Sequence, residues 1–417
     1  MVIRKDNIIF DIFLMLIITA SIPYLVYGIQ VVQFGYNIVG GLNRTALIGS
    51  GGFFGFFAYL KDIIAVLLVI ILLLGLQKKS VKVLLGIGII FIIATISLIL
   101  NGYEVTMFVV AGVRTFIFFL ATMLYCIQHR EILVKQIRKL LIATELCLFL
   151  QTFIVILQIT SSGSWRNFGS GAYRYSGLFP GSGNLGCYCV AISLFLMTVK
   201  NKYEKISMKM LALNFAQLLF LSFASGTRSC EFLVILLIAI SLFHEYGEKL
   251  HLGKSLVIVA GIACLALVGP SVYNNVVTWT GRGNLMVSGA GRALIFMDMI
   301  NSANTYEFVF GRGLGVGTNV SVTMKLPGTQ VSDSTINLLF TQFGLIGLIA
   351  ITLALIYALY LLRCSSRKYS VLAWSFIIVC VVMFFVGNLF EHIAMCIYLV
   401  LSYYLIYIPI NNNHYLQ

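Results

Sequence analysis

Long apolar runs alternate with short polar connections from one end of the chain to the other. The runs fall near residues 7–29, 55–76, 82–100, 105–127, 139–159, 185–199, 208–225, 230–244, 254–270, 335–362, 370–387 and 390–410. Most are about 20 residues long, the length of helix that crosses a hydrocarbon core of about 30 Å. The pattern predicts an all-α polytopic membrane protein with about twelve transmembrane helices in one integral membrane domain, residues 1–417.

The first run follows Arg4 and Lys5. It is longer than the apolar core of a signal peptide and has no clear small-residue cleavage site, so it is predicted to be a retained helix. Twelve crossings place both termini on the same side of the membrane.

The net charge of +14 has two explanations. A basic chain can bind nucleic acid, but lysine and arginine also accumulate in the cytoplasmic loops of membrane proteins, which fits this chain better. With the termini in the cytoplasm, 18 of the 28 lysines and arginines lie in cytoplasmic segments and 8 in outer ones. We therefore expect cytoplasmic termini and no nucleic-acid partner.

The two sides also differ in the type of cation. The cytoplasmic segments hold 13 lysines and 5 arginines, whereas the outer segments hold 1 lysine and 7 arginines. Orientation requires only charge, while a planar guanidinium suits bidentate binding of phosphate or carboxylate. The outer arginines are therefore candidates for ligand binding, with bonding to loop carbonyls as the alternative for each.

One outer connection, residues 270–334 between predicted helices 9 and 10, is far longer than the others. It contains GAGRALIFMDMI, a predicted amphipathic helix with Leu294, Ile295, Met299 and Ile300 at helical spacing, and the glycine-rich segment GRGLGVGTN. Long ordered loops usually act as lids or binding elements. We expect this loop to be functional and the apolar face of its helix to serve packing.

Three helices that run inward from the outer side begin with polar, glycine-containing segments. These are YRYSGLFPGSGNLG before the sixth run, ASGTRSCE before the eighth and VSDSTINLLFTQFG before the tenth. Helix N-termini favour anions, and helix capping alone would explain the serines. A guanidinium about 4 Å from a phosphate contributes roughly 4 kcal/mol at an effective dielectric constant of 20, against about 1 kcal/mol for a helix dipole. Arg174 and Arg228 are therefore predicted to clamp a diphosphate, with phospholipid headgroups as the alternative ligand.

Arg114 lies about ten residues into the fourth run, roughly 15 Å deep. An intramembrane charge needs a partner or an aqueous cavity. Asp62, Glu145 and Glu231 are its candidate partners, and the sequence does not choose among them. Lys61 and Asp62 are expected near the outer end of the second run, with snorkelling as their simplest role.

The outer aromatic residues and the nine cysteines give weaker signals. Trp165 and Tyr173 suit either stacking on sugar faces or an interfacial aromatic belt, and we favour the belt.

Cys187 and Cys189 would point in different directions on a helix, so neither a disulfide framework nor a metal site is indicated.

Five short motifs follow one another over residues 165–350. They are Arg-x-x-Gly before a Gly-Asn helix start (Arg174, Gly177, Asn184), Ser-x-x-Arg-Ser (Ser225, Arg228, Ser229), a Gly-Arg pair (Gly291, Arg292), VFGRGLG with Arg312, and a polar pair followed by FGLIGL. Each motif is weak alone. In their order, spacing and helical frame, the chain resembles the superfamily of O-antigen and capsule polysaccharide polymerases (Wzy-type) and O-antigen ligases.

The resemblance implies an all-helical bundle similar to GT-C enzymes and a metal-independent glycosyltransferase with no cofactor. The substrate would be undecaprenyl-diphosphate-linked oligosaccharide at the outer face of the bacterial cytoplasmic membrane, with membrane lipid, a flippase and chain-length regulator proteins as further partners. Catalytic roles would fall to Asp333, Arg228, Arg174 and Arg292, and substrate contacts to Tyr173, Asn184, Ser225, Arg312, Trp165, Arg114 and Glu231.

One position departs from the ligase pattern. In the ligases a histidine, usually in a His-Asn pair, stands eleven residues before the glycine that Gly344 matches; here that position is Asp333, followed by Ser334. The departure favours a polymerase over an O-antigen ligase. Asp333 is the best-placed outer carboxylate to deprotonate an acceptor hydroxyl, with Glu231 and Asp298 as rivals and helix capping as its alternative role.

Two other functions compete with this one. A flippase or other transporter of lipid-linked oligosaccharide should show paired repeats, broken helices and charge along a central cavity. The sequence shows no such pairing, and its charge is concentrated outside the apolar runs. A peptidoglycan polymerase of the shape, elongation and division type would also use an outer carboxylate, but the several arginine motifs fit it less well.

Overall fold

The computed structural model describes residues 2–25, 29, 32, 53–161, 166–167, 173–249, 285–326, 334–365 and 370–408, and most of these residues are helical. The helices are α1 (Val2–Ser21), α2 (Phe53–Leu74), α3 (Lys78–Leu100), α4 (Val105–Gln128), α5 (Arg130–Lys135), α6 (Ile137–Thr160), α7 (Ser182–Tyr203), α8 (Met208–Ser225), α9 (Arg228–Lys249), α10 (Leu285–Ser302), α11 (Thr305–Phe310), α12 (Asn319–Thr323), α13 (Thr335–Ser365), α14 (Ser370–Val386) and α15 (Ile393–Tyr407). Two short strands, β1 (Arg166–Asn167) and β2 (Tyr173–Arg174), pair antiparallel with Arg166 opposite Arg174.

The predicted helical architecture is confirmed in its coarse form. Eleven of the twelve apolar runs coincide with helices, and the ninth run, 254–270, lies outside the described residues. Within the described ranges, six helices are long and apolar enough to cross a membrane, namely α3, α4, α6, α7, α8 and α13. The chain is therefore an all-helical, membrane-embedded protein, while the number twelve stays a prediction.

The first run ends earlier than predicted. Helix α1 stops at Ser21 rather than near Ile29. Pro23 follows two residues later, and a proline disfavours the helical conformation of the residue before it. Apolar composition alone does not show this stop.

Helix α7 is the central element of the bundle. Within its apolar span 89% of the residues are buried, against 17% in α3 and 6% in the corresponding span of α13. It packs on α8, α9 and α15 within the main hydrophobic core. The first turn of α7 therefore lies in the interior of the protein, while α3 and the later part of α13 face outward.

The helix ends gather at two ends of the bundle. At the end that we call the loop end, α6 and α8 finish, α7 and α9 begin, and the segment 285–326 packs on the bundle. At the opposite end, Lys202 Nζ donates hydrogen bonds to the carbonyl oxygens of Leu405, Ile406 and Ile408, at 2.7, 2.7 and 2.5 Å. The side chain thus closes the C-terminus of α15.

The glycine-rich segment 311–317 crosses between helices at the loop end. Two of its N–H groups bond to helix carbonyls: Arg312 donates to the Thr341 carbonyl at 2.7 Å and Leu314 to the Ala94 carbonyl at 3.2 Å. Leu314 and Val316 belong to a second hydrophobic cluster with residues of α3, α4 and α13. A Cβ at Gly313 or Gly315 would lie within 3 Å of the backbone of α3 or α4, so these two glycines allow backbone to pack on backbone.

Helix α13 is broken, which the sequence did not indicate. Gly344 has φ 61° and ψ −164° inside the helix, and a Cβ there would lie 2.4 Å from the Gly311 nitrogen. The motifs VFGRGLG and FGLIGL therefore meet at this point, glycine against glycine. A broken helix was expected for a transporter, but here the break is filled by the 311–317 segment.

The loop helix predicted within 289–300 is present as α10, but its apolar face does not pack as expected. Leu294 is 63% and Ile295 41% exposed. Phe296, from the same turn, packs instead on Phe340 of α13, with ring centroids 5.6 Å apart. The helical spacing in the sequence predicts an apolar face, but it does not predict which residues of that face pack against the rest of the protein.

Candidate functional site

Arg174 lies against the turn that joins α8 to α9. The N–H of Tyr175 donates to the Ala224 carbonyl at 2.9 Å. Gly226 ends α8 in the left-handed conformation, φ 63°, and a Cβ at that position would lie 2.9 Å from Arg174 Cγ and 3.3 Å from its Nε. Only glycine leaves room for this arginine. Two motifs that stand about 50 residues apart in the sequence thus meet immediately before Arg228.

The first turn of α7 packs on the same turn. A Cβ at Gly186 would lie 3.0 Å from Ser225 Oγ and 3.1 Å from Thr227 Cβ. Cys187 and Cys230, both buried free thiols, have their sulfurs 3.9 Å apart. The N-termini of α7 and α9 therefore lie side by side at the loop end, and Cys187 faces Cys230 rather than Cys189.

Asn184 does not cap its helix. The N-cap of α7 is Gly181, which has no side-chain cap. The Asn184 side chain instead meets His392, with Oδ1 2.5 Å from the ring Nδ1. Because an amide oxygen only accepts, Nδ1 holds the proton and the neutral imidazole keeps its acceptor at Nε2. At the start of α13, Ser334 Oγ accepts from the Asn337 N–H at 3.3 Å, and before α9 Ser225 Oγ accepts from the Thr227 N–H at 3.2 Å.

A polar network extends from His392 toward the loop. Glu391 Oε1 accepts from the Asn319 N–H at 2.5 Å, and the Asn319 side-chain amide also donates to Glu391. Asn388 Nδ2 donates to Glu391 Oε2 at 3.0 Å. The connection between α14 and α15 thus holds both the start of α7 and the start of α12.

Two glutamines of α6 hold the segment before α7. Gln158 accepts from the Gly177 N–H at 3.0 Å and donates to its carbonyl at 2.9 Å. Gln151 accepts from the Leu178 N–H at 2.9 Å and donates to the Ser21 carbonyl at 2.8 Å. Both glutamines are fully buried. Sequence reasoning missed them, although their spacing of seven residues within an apolar run places them on one helix face.

The partly buried position of His392 gives the site a pH dependence. Burial lowers the pKa of His392 from 6.5 to about 4, so the fold favours the neutral ring. The unfolded chain then binds more protons between these two values, and the stability falls as the pH drops through that window, by about 3 kcal/mol.

We expect the thermal unfolding midpoint of the purified protein to fall between pH 7 and pH 4.5 by more than that of His392→Gln. The difference between the two proteins removes the effect of all other titrating groups on the unfolding midpoint. Parallel pH profiles of the two proteins would contradict a neutral His392 in the folded protein.

Comparisons with protein-family models, with curated proteins and with solved structures find no match for this chain. The site is therefore interpreted from its own geometry.

Arg312 lies in a separate cluster of the loop. Its Nε is 3.5 Å from Glu307 Oε2, and its Nη2 donates to Ser302 Oγ at 3.3 Å. Arg312, Glu307 and Thr341 line a shallow depression.

The partner of Arg114 is Asp62. Nε and Nη2 of Arg114 donate to the two carboxylate oxygens at 3.3 and 3.2 Å, and Lys61 Nζ lies 3.3 Å from Oδ2. Lys61 is 2% exposed, so the expectation that Lys61 and Asp62 snorkel is wrong: both pair inside the protein. The rival partner Glu145 instead accepts from Asn214 at 3.0 Å.

The remaining predicted site residues differ in position. Ser225 is fully buried and donates to the Ser222 carbonyl, and Glu231 is buried in the first turn of α9. Asp298 is exposed on α10. Several lie outside the described residues or have side chains outside them, namely Asp333, Trp165, Tyr173 and Arg292.

No group of three or more His, Cys, Asp or Glu side chains is arranged to hold a metal ion in the part of the chain that the structure describes. The described polar atoms of the site are guanidinium, amide, imidazole and carboxylate groups. The guanidinium and amide groups among them can donate to an anion, and a carboxylate can accept the proton of a hydroxyl.

Proposed function

We propose that the protein is a polysaccharide polymerase, a glycosyltransferase that joins undecaprenyl-diphosphate-linked oligosaccharide repeat units at the outer face of the bacterial cytoplasmic membrane. The observation that supports this most is the position of Arg174, laid over Gly226 directly before Arg228. Two arginine motifs of the resemblance meet there, at the paired N-termini of two helices.

This arrangement suits a diphosphate leaving group. Helix N-termini present unpaired N–H groups and a positive dipole end. A guanidinium adds a fork of donors that matches phosphate oxygens. Preorganised positive charge of this kind stabilises the negative charge that develops as diphosphate leaves.

The distribution of cations supports assigning the loop end to the outer face. Arg174, Arg228 and Arg312 lie at the loop end, whereas Lys200, Lys202 and Lys205 follow α7 to the opposite end. Lysine-rich connections are typical of the cytoplasmic side. In this orientation both chain termini are cytoplasmic.

The proposed reaction needs one proton acceptor. The acceptor hydroxyl oxygen forms a bond to the anomeric carbon, the bond from that carbon to the diphosphate oxygen breaks, and the diphosphate takes the electron pair. The hydroxyl proton passes to a carboxylate. Asp333 is our candidate from the sequence, and Glu231 is the described carboxylate next to Arg228.

Purified protein supplied with lipid-linked repeat units is the direct test. We expect longer lipid-linked chains with no added metal or nucleotide sugar, and single repeat units to accumulate in cells that lack the protein. Accumulation of long undecaprenyl-linked chains in those cells would indicate a ligase instead. Translocation of the lipid without chain growth would indicate a flippase.

Replacing Asp333 by asparagine separates two roles. Asparagine caps a helix as well as aspartate does, so a capping residue would tolerate the change. A base loses its proton acceptor, and we expect transfer to slow by about 10² or more. The measurement is polymerisation in vitro beside thermal stability. Normal turnover by a stable variant would remove Asp333 from the mechanism and shift attention to Glu231 and Asp298.

A further inference from the structure

Two cysteine side chains meet where the starts of α7 and α9 lie side by side. Cys187 lies in the second turn of α7 and Cys230 in the first turn of α9. Both residues are buried, and their sulfur atoms are 3.9 Å apart. At this distance the two sulfurs are in van der Waals contact, so no other group lies between them.

The backbone of the two helices allows these sulfurs to bond. A disulfide is about 2.0 Å long and needs Cβ atoms about 3.5–4.5 Å apart. Gly186, the residue before Cys187, has no side chain, and a Cβ there would lie 3.0 Å from Cys230 Cβ. The main chain of α7 therefore passes directly against Cys230. We expect rotation of the two side chains to bring the sulfurs together over the remaining distance of roughly 1.9 Å.

The two ends of the bundle differ in redox environment. The cysteine pair lies at the loop end, which the distribution of cations favours as the outer face. Disulfides persist outside the cytoplasm, whereas cytoplasmic thiols are kept reduced. Cys364 is exposed near the end of α13, whose later part packs beside the end of α15, with Tyr403 Oη 3.2 Å from the Ala358 carbonyl oxygen. Cys364 therefore lies at the opposite, cytoplasmic end and serves as a reference thiol.

We propose that Cys187 and Cys230 are joined by a disulfide in the mature protein. The oxidant is the disulfide of an extracytoplasmic thiol–disulfide exchange protein. The thiolate of one cysteine attacks that disulfide, which forms a mixed disulfide and releases one thiol of the oxidant. The thiolate of the other cysteine then attacks the mixed disulfide and releases the second thiol. The chain loses two electrons and two protons, and the disulfide of the oxidant gains them.

The bond has consequences for folding and for the site. Because both cysteines are buried in the fold, the exchange takes place before α7 and α9 pack together. Cys230 stands two residues after Arg228, and Arg174 lies on the turn before it, so the bond holds this turn against α7. The proposal rests on the orientation of the bundle assigned under the proposed function, but not on the polymerisation reaction.

Trapping of thiols in the full-length protein tests the proposal. Membranes are quenched in acid, the protein is denatured and alkylated with N-ethylmaleimide, and a non-reducing digest is analysed by mass spectrometry. We expect a linked pair of peptides that contain Cys187 and Cys230, lighter than the two thiol peptides by two hydrogen atoms. Cys364 should be fully alkylated, which shows that the trapping worked. Cys187→Ser should abolish the link, whereas Cys189→Ser, a matched change of a buried cysteine in the same helix, should retain it.

Reduction supplies a second measurement. The link joins residues 43 positions apart, and a loop of this length restricts the unfolded chain. We expect dithiothreitol to lower the thermal unfolding midpoint of wild type and of Cys189→Ser by roughly 5 °C or more, and to leave that of Cys187→Ser unchanged. An equal midpoint of wild type with and without dithiothreitol would contradict a bond that stabilises the fold.

The outcomes separate the disulfide from the orientation. A maleimide that does not cross membranes, applied to intact spheroplasts, should leave Cys364 unlabelled. Alkylated Cys187 and Cys230 together with a shielded Cys364, or a link through Cys189, would overturn the disulfide alone. Labelling of Cys364 from outside would overturn the orientation and, with it, the disulfide. Neither result bears on whether the protein extends lipid-linked chains.

Discussion

Lysine at position 174 or 228 is expected to lower polymerisation about 10- to 100-fold while the protein level and unfolding temperature hold. Lysine keeps the charge but loses the fork of donors. The loss of one charge-assisted hydrogen bond, about 1.5–3 kcal/mol, corresponds to a rate change of that size. The measurement is the initial rate of chain growth on lipid-linked repeat units at saturating and at limiting substrate.

Two further variants serve as a control and as an independent test of this prediction. Arg138→Lys, at the opposite end of the bundle, removes the same donors where no diphosphate is expected, and should keep the full rate. Gly226→Ala leaves both guanidiniums intact but places a methyl group 2.9 Å from Arg174 Cγ, and should lower the rate by displacing that arginine. Full activity in both lysine variants would rule out bidentate diphosphate binding.

Alanine at Gly315 is expected to destabilise the fold by at least about 3 kcal/mol. Gly315 has φ 86°, which an L side chain rarely adopts, and its Cβ would lie 1.9 Å from the Phe108 carbonyl oxygen. The obstacle is helix backbone, which cannot rotate aside. Backbone strain at residue 315 and displacement of the loop from α4 therefore both lower the stability of the fold. Thermal unfolding in detergent, with the yield of monodisperse protein, measures the effect.

Gly88→Ala provides the matched control. Gly88 lies in the middle of α3, and a Cβ there would meet nothing within 4 Å. Alanine in a helix interior is favoured over glycine by about 0.5–1 kcal/mol, so this variant should be as stable as wild type or slightly more stable. If Gly315→Ala matched Gly88→Ala, the glycine segment could not pass between α3 and α4 as described.

The helices were readable from the sequence because each one satisfies its backbone hydrogen bonds locally. In a lipid environment an apolar run of sufficient length has few alternatives to a helix. Runs such as 105–127 and 208–225 therefore predict α4 and α8 within a residue or so. The sequence also singled out Arg174 and Arg228 as candidate ligand-binding residues, because a charged side chain beside an apolar run is costly in a membrane.

Only the tertiary structure decided which residues meet. Arg114 had three candidate carboxylates, and a separation of 52 residues from Asp62 says nothing about contact. Asn184 resembled a helix cap until His392, 208 residues later in the chain, was found beside it. The glycine-rich segment 311–317 was expected only to belong to a functional loop, because glycine permits close approach of either a ligand or backbone. A pattern along one chain records what each segment can form by itself, whereas a site depends on long-range contacts that the packing of the whole bundle determines.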